Sequence, residues 1–105
     1  MTNEFGAVLD RSGYAPSIIQ YDHSSCYICG GCDGLQRHEP FNGANREKSK
    51  YYGIWVTLCG FCHETCHRSP REYGQAMKRE TQSVAMIHYG WNRQEWRDRF
   101  GKSYL

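Results

Sequence analysis

Two Cys-x-x-Cys pairs constrain the fold of this chain more than any other feature. Cys26 and Cys29 form the first pair, and Cys59 and Cys62 form the second, about thirty residues further on. Four thiolates bind Zn²⁺ at about 2.3 Å in a closed tetrahedral site that leaves no position for a substrate. The spacing therefore predicts a structural zinc site that joins two distant parts of the chain.

Two further cysteines make the choice of ligands less direct. Cys32 forms an overlapping pair with Cys29, and Cys66 lies in the segment after the second pair. Cys26 is preferred over Cys32 because a Cys-x-x-Cys-Gly pattern is typical of a zinc knuckle. Cys32 and Cys66 are interpreted as spare thiols. The alternative for the whole set is six reduced cysteines without metal.

The cysteines could instead be disulfides of a secreted protein. The segment Met1–Gly6 lacks the basic flank and the apolar run of a signal peptide, and no stretch approaches the roughly 18 apolar residues of a membrane span. We therefore expect reduced cysteines, a cytoplasmic location and no membrane partner. A chain of 105 residues buries a modest core, so a metal would add needed stability.

Charge is distributed unevenly along the chain. Residues 1–35 carry one basic and four acidic side chains, whereas residues 36–105 carry twelve basic and seven acidic ones. A local excess of positive charge is compatible with a nucleic-acid partner for the second part, although many solvated surfaces show the same excess.

The pattern along the chain predicts an arm followed by one domain. Residues 1–22 show no clear periodicity, so we expect a loosely structured N-terminal arm with an apolar anchor at Ile18-Ile19. Residues 23–105 are predicted to form the domain, with a zinc-binding core over about 26–69 and C-terminal helices over about 72–101.

The core is predicted to contain two strands and one helix. Leu35–Phe41 is a candidate strand that Pro40 would end, and Ile54–Leu58 is β-branched and aromatic, the strongest strand signal present. A polar, basic connector, Asn42–Gly53, separates them. A helical pattern begins at Gly60 and ends near Ser69-Pro70.

Two more helices are predicted after this core. The first covers about Glu72 to His88. The last begins with a capping box, in which Asn92 is the N-cap and Glu95 stands three residues on. Trp96 and Phe100 then share one helical face.

Histidines supply the candidate chemistry. His63 and His67 are four residues apart on one helical face, a suitable pair of ligands for a divalent ion. His38 lies near the end of the first predicted strand, and a neutral imidazole can accept a proton from water near pH 7. As isolated residues, His38 and His67 would more often be ordinary polar side chains.

Three stretches combine these features: Leu35-Gln-Arg-His38-Glu39-Pro-Phe41, Gly43-Ala-Asn45-Arg46 and Leu58-Cys59-Gly-Phe-Cys62-His63-Glu-Thr-Cys-His67. Together they resemble the HNH nuclease family, also called ββα-metal or His-Me finger nucleases. The likeness is to the small phage-associated and bacterial subgroup with four-cysteine zinc sites, and the ending Phe100–Leu105 is also similar. The motifs cover about residues 26–67 and do not cover the arm.

The resemblance implies a fold and a function. The fold is a small α+β, zinc-stapled ββα-metal (HNH) domain with additional C-terminal helices, in a bacterial cell or phage-infected host. The function is metal-dependent endonuclease cleavage of DNA, expected to be double-stranded. His38 would be the general base, while His63 with His67 would hold Mg²⁺ or another divalent ion such as Mn²⁺ or Ni²⁺. Asn45 would fix the connector through backbone hydrogen bonds.

One position departs from the family pattern. Many members have an Asp or His ligand just before the general base, where this chain has Arg37, and a guanidinium cannot bind a metal. Either Arg37 contacts a phosphate while Glu39 or another residue completes the ligands, or the register shifts. In the shifted register His38 is a ligand and Glu39 is the base.

Two other functions compete with the nuclease hypothesis. His63-Glu64-Thr-Cys-His67 also spells the HExxH motif of zinc proteases, whose third ligand would have to come from Glu72, Glu80 or His88. The stronger alternative is a non-catalytic, zinc-stapled nucleic-acid-binding module. Its candidate contacts to phosphates and bases lie in the connector and in the last helix: Arg46, Lys48, Lys50, Tyr51 and Tyr52, extended by Arg93, Arg97, Arg99 and Lys102. In the nuclease, Arg37 or Arg46 would hold a phosphate next to the scissile one.

The nuclease hypothesis has two further consequences. Because His38 must be neutral to act as the base, cleavage should slow as the pH falls through about 6.5, the unperturbed histidine pKa, and a rate independent of pH between 5 and 8 would count against that role. So small a domain has little surface for reading bases, so a protein partner would supply sequence specificity.

Overall fold

A two-stranded antiparallel sheet and four α-helices make up the regular structure, an α+β arrangement. The computed structural model describes residues 1–105. No helix is both long enough and apolar enough to cross a membrane. In chain order the elements are β1 (Gln36–His38), α1 (Arg46–Tyr51), β2 (Val56–Leu58), α2 (Gly60–Arg68), α3 (Gln75–Tyr89) and α4 (Arg93–Phe100).

Strands β1 and β2 lie where the sequence predicts them, but both are shorter. His38 is paired with Val56 at one end of the ladder, and Gln36 with Leu58 at the other. Pairing stops soon after His38 because Pro40 has no N–H to donate. At the start of β2, the backbone N–H of Ile54 donates instead to the Ser49 carbonyl oxygen at 2.8 Å.

The connector between the strands is helical, which the sequence pattern did not predict. A 3₁₀ turn, Gly43–Asn45, leads into α1. The α1 sequence shows no apolar periodicity because its buried residues are polar, Ser49 and Lys50. The Ser49 hydroxyl donates to the Ile54 carbonyl oxygen at 2.5 Å, which ties α1 to β2. Tertiary contacts therefore stabilise this helix.

The C-terminal helices follow the predicted pattern with one change. A five-residue π-helical segment, Pro70–Gly74, joins α2 to α3, so α3 begins at Gln75, three residues later than predicted. The capping box at the start of α4 is confirmed, with Asn92 and Glu95 each accepting the other's backbone N–H.

The N-terminal arm, residues 1–22, contains no helix or paired strand beyond one isolated bridge, yet it is packed against the domain. The Ala15 N–H donates to Lys50, and Trp55 Nε1 donates back to the Ala15 carbonyl oxygen at 2.7 Å. The Ile18 N–H donates to Gly53. These bonds give order that no local pattern reveals, and they bury four side chains of the arm: Asn3, Tyr14, Ala15 and Gln20.

Two hydrophobic clusters form the core. The first surrounds β2 and α2 and is rich in sulfur, because Cys26, Cys59, Cys62 and Cys66 belong to it. The second is aromatic and lies between α1, α3 and α4, where Trp96 and Phe100 stack with ring centroids 4.1 Å apart. Leu35, just before β1, packs against the first cluster, and Phe41, three residues after β1, belongs to the second.

Gly53 sits where the arm crosses the start of β2, and a substitution there tests this packing. Its φ is +73°, and an added Cβ would lie 2.3 Å from the Pro16 carbonyl oxygen. We expect Gly53→Ala to lower the free energy of unfolding by about 3 kcal/mol, from left-handed backbone strain plus overpacking.

The matched control is Gly43→Ala, since Gly43 also has positive φ but faces open space. We expect it to cost only about 1 kcal/mol, the backbone strain alone. Urea titrations of both variants give the difference. Equal losses would mean that the arm does not pack against Gly53 in solution.

Candidate metal and catalytic site

Four cysteines meet between the cysteine- and glycine-rich turn of residues 26–34 (the knuckle), the end of β2 and the first turn of α2. Their Sγ atoms, from Cys26, Cys29, Cys59 and Cys62, all lie within 4.8 Å of one another. The Sγ atoms of Cys29 and Cys59 are 3.7 Å apart, and a tetrahedral zinc with 2.3 Å bonds requires about 3.8 Å. This cysteine site therefore fits a structural metal such as zinc.

Backbone N–H groups support the cysteine site. The Gly31 N–H donates to Cys29 Sγ at 3.4 Å, and the Cys62 N–H donates to Cys59 Sγ at 3.5 Å. Burial opposes ionisation of Cys26, but hydrogen bonds from backbone N–H groups outweigh it and lower the pKa of Cys26 to about 6. A thiolate at neutral pH is the form that binds metal.

The two remaining cysteines lie outside the cysteine site. Cys32 is exposed, and Cys66 is buried in the sulfur-rich cluster; neither belongs to the group of four. The choice of Cys26 over Cys32 as a ligand agrees with this geometry.

Three histidines form a second group with metal-ligand geometry. His38 at the end of β1 and His63 and His67 on α2 bring one ring nitrogen each within 4.8 Å of the others. The Nε2 atoms of His63 and His67 are 3.1 Å apart. Two nitrogens bound to one ion at about 2.1 Å lie roughly 3.0 to 3.4 Å apart. This histidine site has the donor chemistry and spacing for a divalent ion.

Gln36 orients one of these rings, a contact that the sequence did not reveal. Its Oε1 lies 2.8 Å from Nδ1 of His63. An amide oxygen only accepts hydrogen bonds, so the proton of a neutral His63 is on Nδ1. Nε2 is then left free to bind an ion. The period-two pattern of β1 places Gln36 and His38 on one face, which is the only signal that would have found it.

His38 is the most buried member of the histidine site, at 8% exposure. Burial, followed by the nearby rings of His63 and His67, lowers the pKa of His38 to about 4, although Glu39 acts in the opposite direction. Burial also lowers the pKa of His63. The expected loss of activity near pH 6.5 is therefore corrected, because His38 is neutral down to well below that pH.

An open polar pocket of about 240 Å³ surrounds the histidine site. No hydrophobic residue lines it. Six of its seven lining residues were identified as candidates from the sequence, and the seventh, Asn42, was not. The seven are Arg37, His38, Glu39, Asn42, Arg46, His63 and His67.

The charged residues of the pocket are already paired. Glu39 is buried and accepts a hydrogen bond at 2.8 Å from Arg46, whose side chain is largely exposed. Arg37 pairs with Asp10 at 2.8 Å and lies over the ring of Tyr14. Glu39 is outside the three-histidine group, so it is not placed as a direct metal ligand.

Three other candidate residues lie away from the pocket. Lys50 is buried, and its ammonium group lies over the ring of Tyr14. Its predicted role in phosphate binding is therefore corrected. Lys48 Nζ donates to the Arg99 carbonyl oxygen at 2.5 Å. Asn45 Nδ2 donates to the Phe100 carbonyl oxygen at 2.9 Å, so it ties the connector to the end of α4.

The HExxH spelling does not produce a protease-like arrangement. Glu64 is exposed and pairs with Arg68 at 2.8 Å, and it does not line the pocket. The possible third ligands of a protease site, Glu72, Glu80 and His88, all lie outside the histidine site. Its third member beside His63 and His67 is His38.

No family model matches the chain, and neither a curated protein nor a solved structure matches it.

Proposed function

We propose that this chain is a metal-dependent HNH-type endonuclease that hydrolyses phosphodiester bonds in DNA. The observation that carries the proposal is the three-histidine site, which lies in a polar pocket and is built on two antiparallel strands followed by a helix. This order of elements and these residue types are what the likeness to the ββα-metal nucleases implies.

The residues of the pocket have separate roles in this proposal. His63 and His67 would hold a divalent ion, which would supply positive charge at the scissile phosphate and at the leaving 3′-oxygen. His38 is neutral and buried beside them, so it accepts the proton of the attacking water. Arg46, fixed by Glu39, faces the same pocket and contacts a phosphate oxygen. The products are 5′-phosphate and 3′-hydroxyl ends.

The competing hypothesis of a non-catalytic nucleic-acid-binding module depends on free basic side chains along the connector. Lys48 and Lys50 make contacts within the protein, which weakens that hypothesis. A binding module also gives no reason to gather three histidines in one open pocket.

Cleavage of supercoiled plasmid by protein loaded with one equivalent of zinc tests the proposal. We expect wild type to nick or linearise the plasmid with Mg²⁺ or Mn²⁺ and to stop when EDTA is added. His63→Ala should reduce cleavage to background because it removes a ligand of the ion.

The matched control is His88→Ala, since His88 is an exposed helical histidine outside the pocket. It should cleave like wild type. If wild type does not cleave but binds DNA with salt-sensitive affinity, the protein is the binding module instead. If His63→Ala cleaves at the wild-type rate, the histidine site is not the active site.

A further inference from the structure

A second cavity adjoins the histidine site on the side of α3. Its volume is about 270 Å³, and it shares His38, Asn42 and His67 with the first pocket. The rest of its lining comes from the loop after β1, from α2, from the π-helical segment and from the start of α3: Pro40, Cys66, Pro70, Gly74, Gln75 and Lys78. A polymer bound at the histidine site can therefore extend into this cavity.

The charge of this second cavity differs from that of the first. No Asp or Glu lines it, and Lys78 is its one lysine or arginine. Arg37 and Arg46 in the first pocket each contact a carboxylate at 2.8 Å. No carboxylate lies within 4.0 Å of Lys78 Nζ. Among the cations of the two pockets, Lys78 alone is not neutralised by the fold.

The position of Lys78 on α3 and its contact with Tyr104 place its charge at the cavity. Gln75 and Lys78 are three residues apart on α3, so both face the cavity. Lys78 Nζ lies 5.1 Å from the centre of the Tyr104 ring. The ring attracts the ammonium group without cancelling its charge. Lys78 is half-buried, has no carboxylate partner and lines the cavity together with the amide side chains of Asn42 and Gln75. Such a lysine is suited to binding an anion.

We propose that Lys78, with Asn42 and Gln75, forms a second phosphate-binding subsite, which holds a DNA backbone phosphate next to the scissile one. This subsite rests on the proposed nuclease function, because that function places a nucleic-acid strand at the histidine site. Backbone contacts of this kind set the register of the strand rather than its sequence preference.

DNA binding without cleavage tests the subsite. The probe is a short fluorescein-labelled duplex, measured by anisotropy in Ca²⁺ over a series of NaCl concentrations. We expect Lys78→Gln to raise Kd about fivefold and to reduce the slope of log K against log salt by about 0.9, the value for one phosphate contact. Arg79→Gln is the matched control, because Arg79 is exposed one residue further on and lines neither pocket.

Two more variants separate charge from packing. Lys78→Met keeps an apolar stem against Tyr104 but removes the charge, so it should bind as weakly as Lys78→Gln, whereas Lys78→Arg should restore binding. Equal effects of Lys78→Gln and Arg79→Gln would overturn the subsite and leave the nuclease proposal intact. Absence of salt-dependent binding by wild type would overturn both.

Discussion

Cys26→Ser is expected to abolish zinc binding at the cysteine site and cooperative unfolding, the largest effect that any single substitution in this chain should have. Cys26 is buried and contributes one of the four sulfur atoms that the fold brings together. Structural zinc in small domains contributes about 10–16 kcal/mol of binding energy. That is as large as the whole stability of a typical domain, about 5–15 kcal/mol.

The sheet explains why the fold cannot compensate for this loss. Each strand has only three residues, Gln36–His38 and Val56–Leu58, and an isolated two-stranded pair is marginal in water. The cysteine site joins the knuckle before β1 to the end of β2 and the start of α2. Without the metal, the metal–sulfur bonds would be lost, and the four cysteines would face one another as thiols.

Cys32→Ser is the matched control, since Cys32 is an exposed cysteine of the same knuckle that lies outside the group of four. It should bind zinc and melt like wild type. Circular dichroism melts and zinc content by mass spectrometry measure both properties. A Cys26→Ser protein that keeps its zinc and the wild-type melting temperature would contradict the ligand assignment.

His38→Ala is expected to lower kcat about a thousandfold, in the range for loss of a general acid or base. As a base, His38 contributes to proton transfer and not to ion binding, so the Kd for Mn²⁺ by calorimetry should change little. In the alternative register, in which His38 is a ligand and Glu39 is the base, Mn²⁺ affinity would fall together with kcat.

Glu39→Gln is the companion variant because it preserves the contact with Arg46 but removes the carboxylate. We expect it to reduce kcat by less than about tenfold, the loss for one weakened hydrogen bond. A loss as large as that of His38→Ala would favour Glu39 as the base.

The pH profile offers an independent check on His38. A base whose pKa is lowered to about 4 is neutral and active above that pH and is lost only as the pH falls through it. The rate should therefore be flat between about pH 5 and 8. A fall centred near 6.5 in wild type would mean that His38 is not buried as the structure describes.

The predictability of the fold differs from one element to the next. The capping box of α4 and the stacking of Trp96 on Phe100 depend on residues three or four apart, so a short stretch of sequence is enough to predict them. Helix α1 and the packed arm depend on partners more than thirty residues away, such as the bond from Trp55 to Ala15. Such contacts leave no periodic trace in the sequence.

The residues of the candidate sites were predictable where their spacing along the chain is itself typical of metal ligands. The Cys-x-x-Cys pairs and the four-residue interval between His63 and His67 predicted directly which side chains the fold brings together. Asn42, Gln36 and Lys78 were missed because only the tertiary fold brings them to the histidines and to the cavities around them. The burial of Lys50 was missed for the same reason.

The donor atoms of the histidine site have a consequence for metal competition. The two ligands proposed for the ion, His63 and His67, supply only imidazole nitrogens, and the carboxylate of the same pocket, Glu39, is engaged by Arg46. Affinity for such a set follows the Irving–Williams order, so Zn²⁺, Cu²⁺ and Ni²⁺ outrank Mn²⁺, and hard Mg²⁺ prefers oxygen donors. Protein prepared in excess zinc should therefore contain two equivalents of it, and metal supply rather than intrinsic preference would decide which ion the histidines hold.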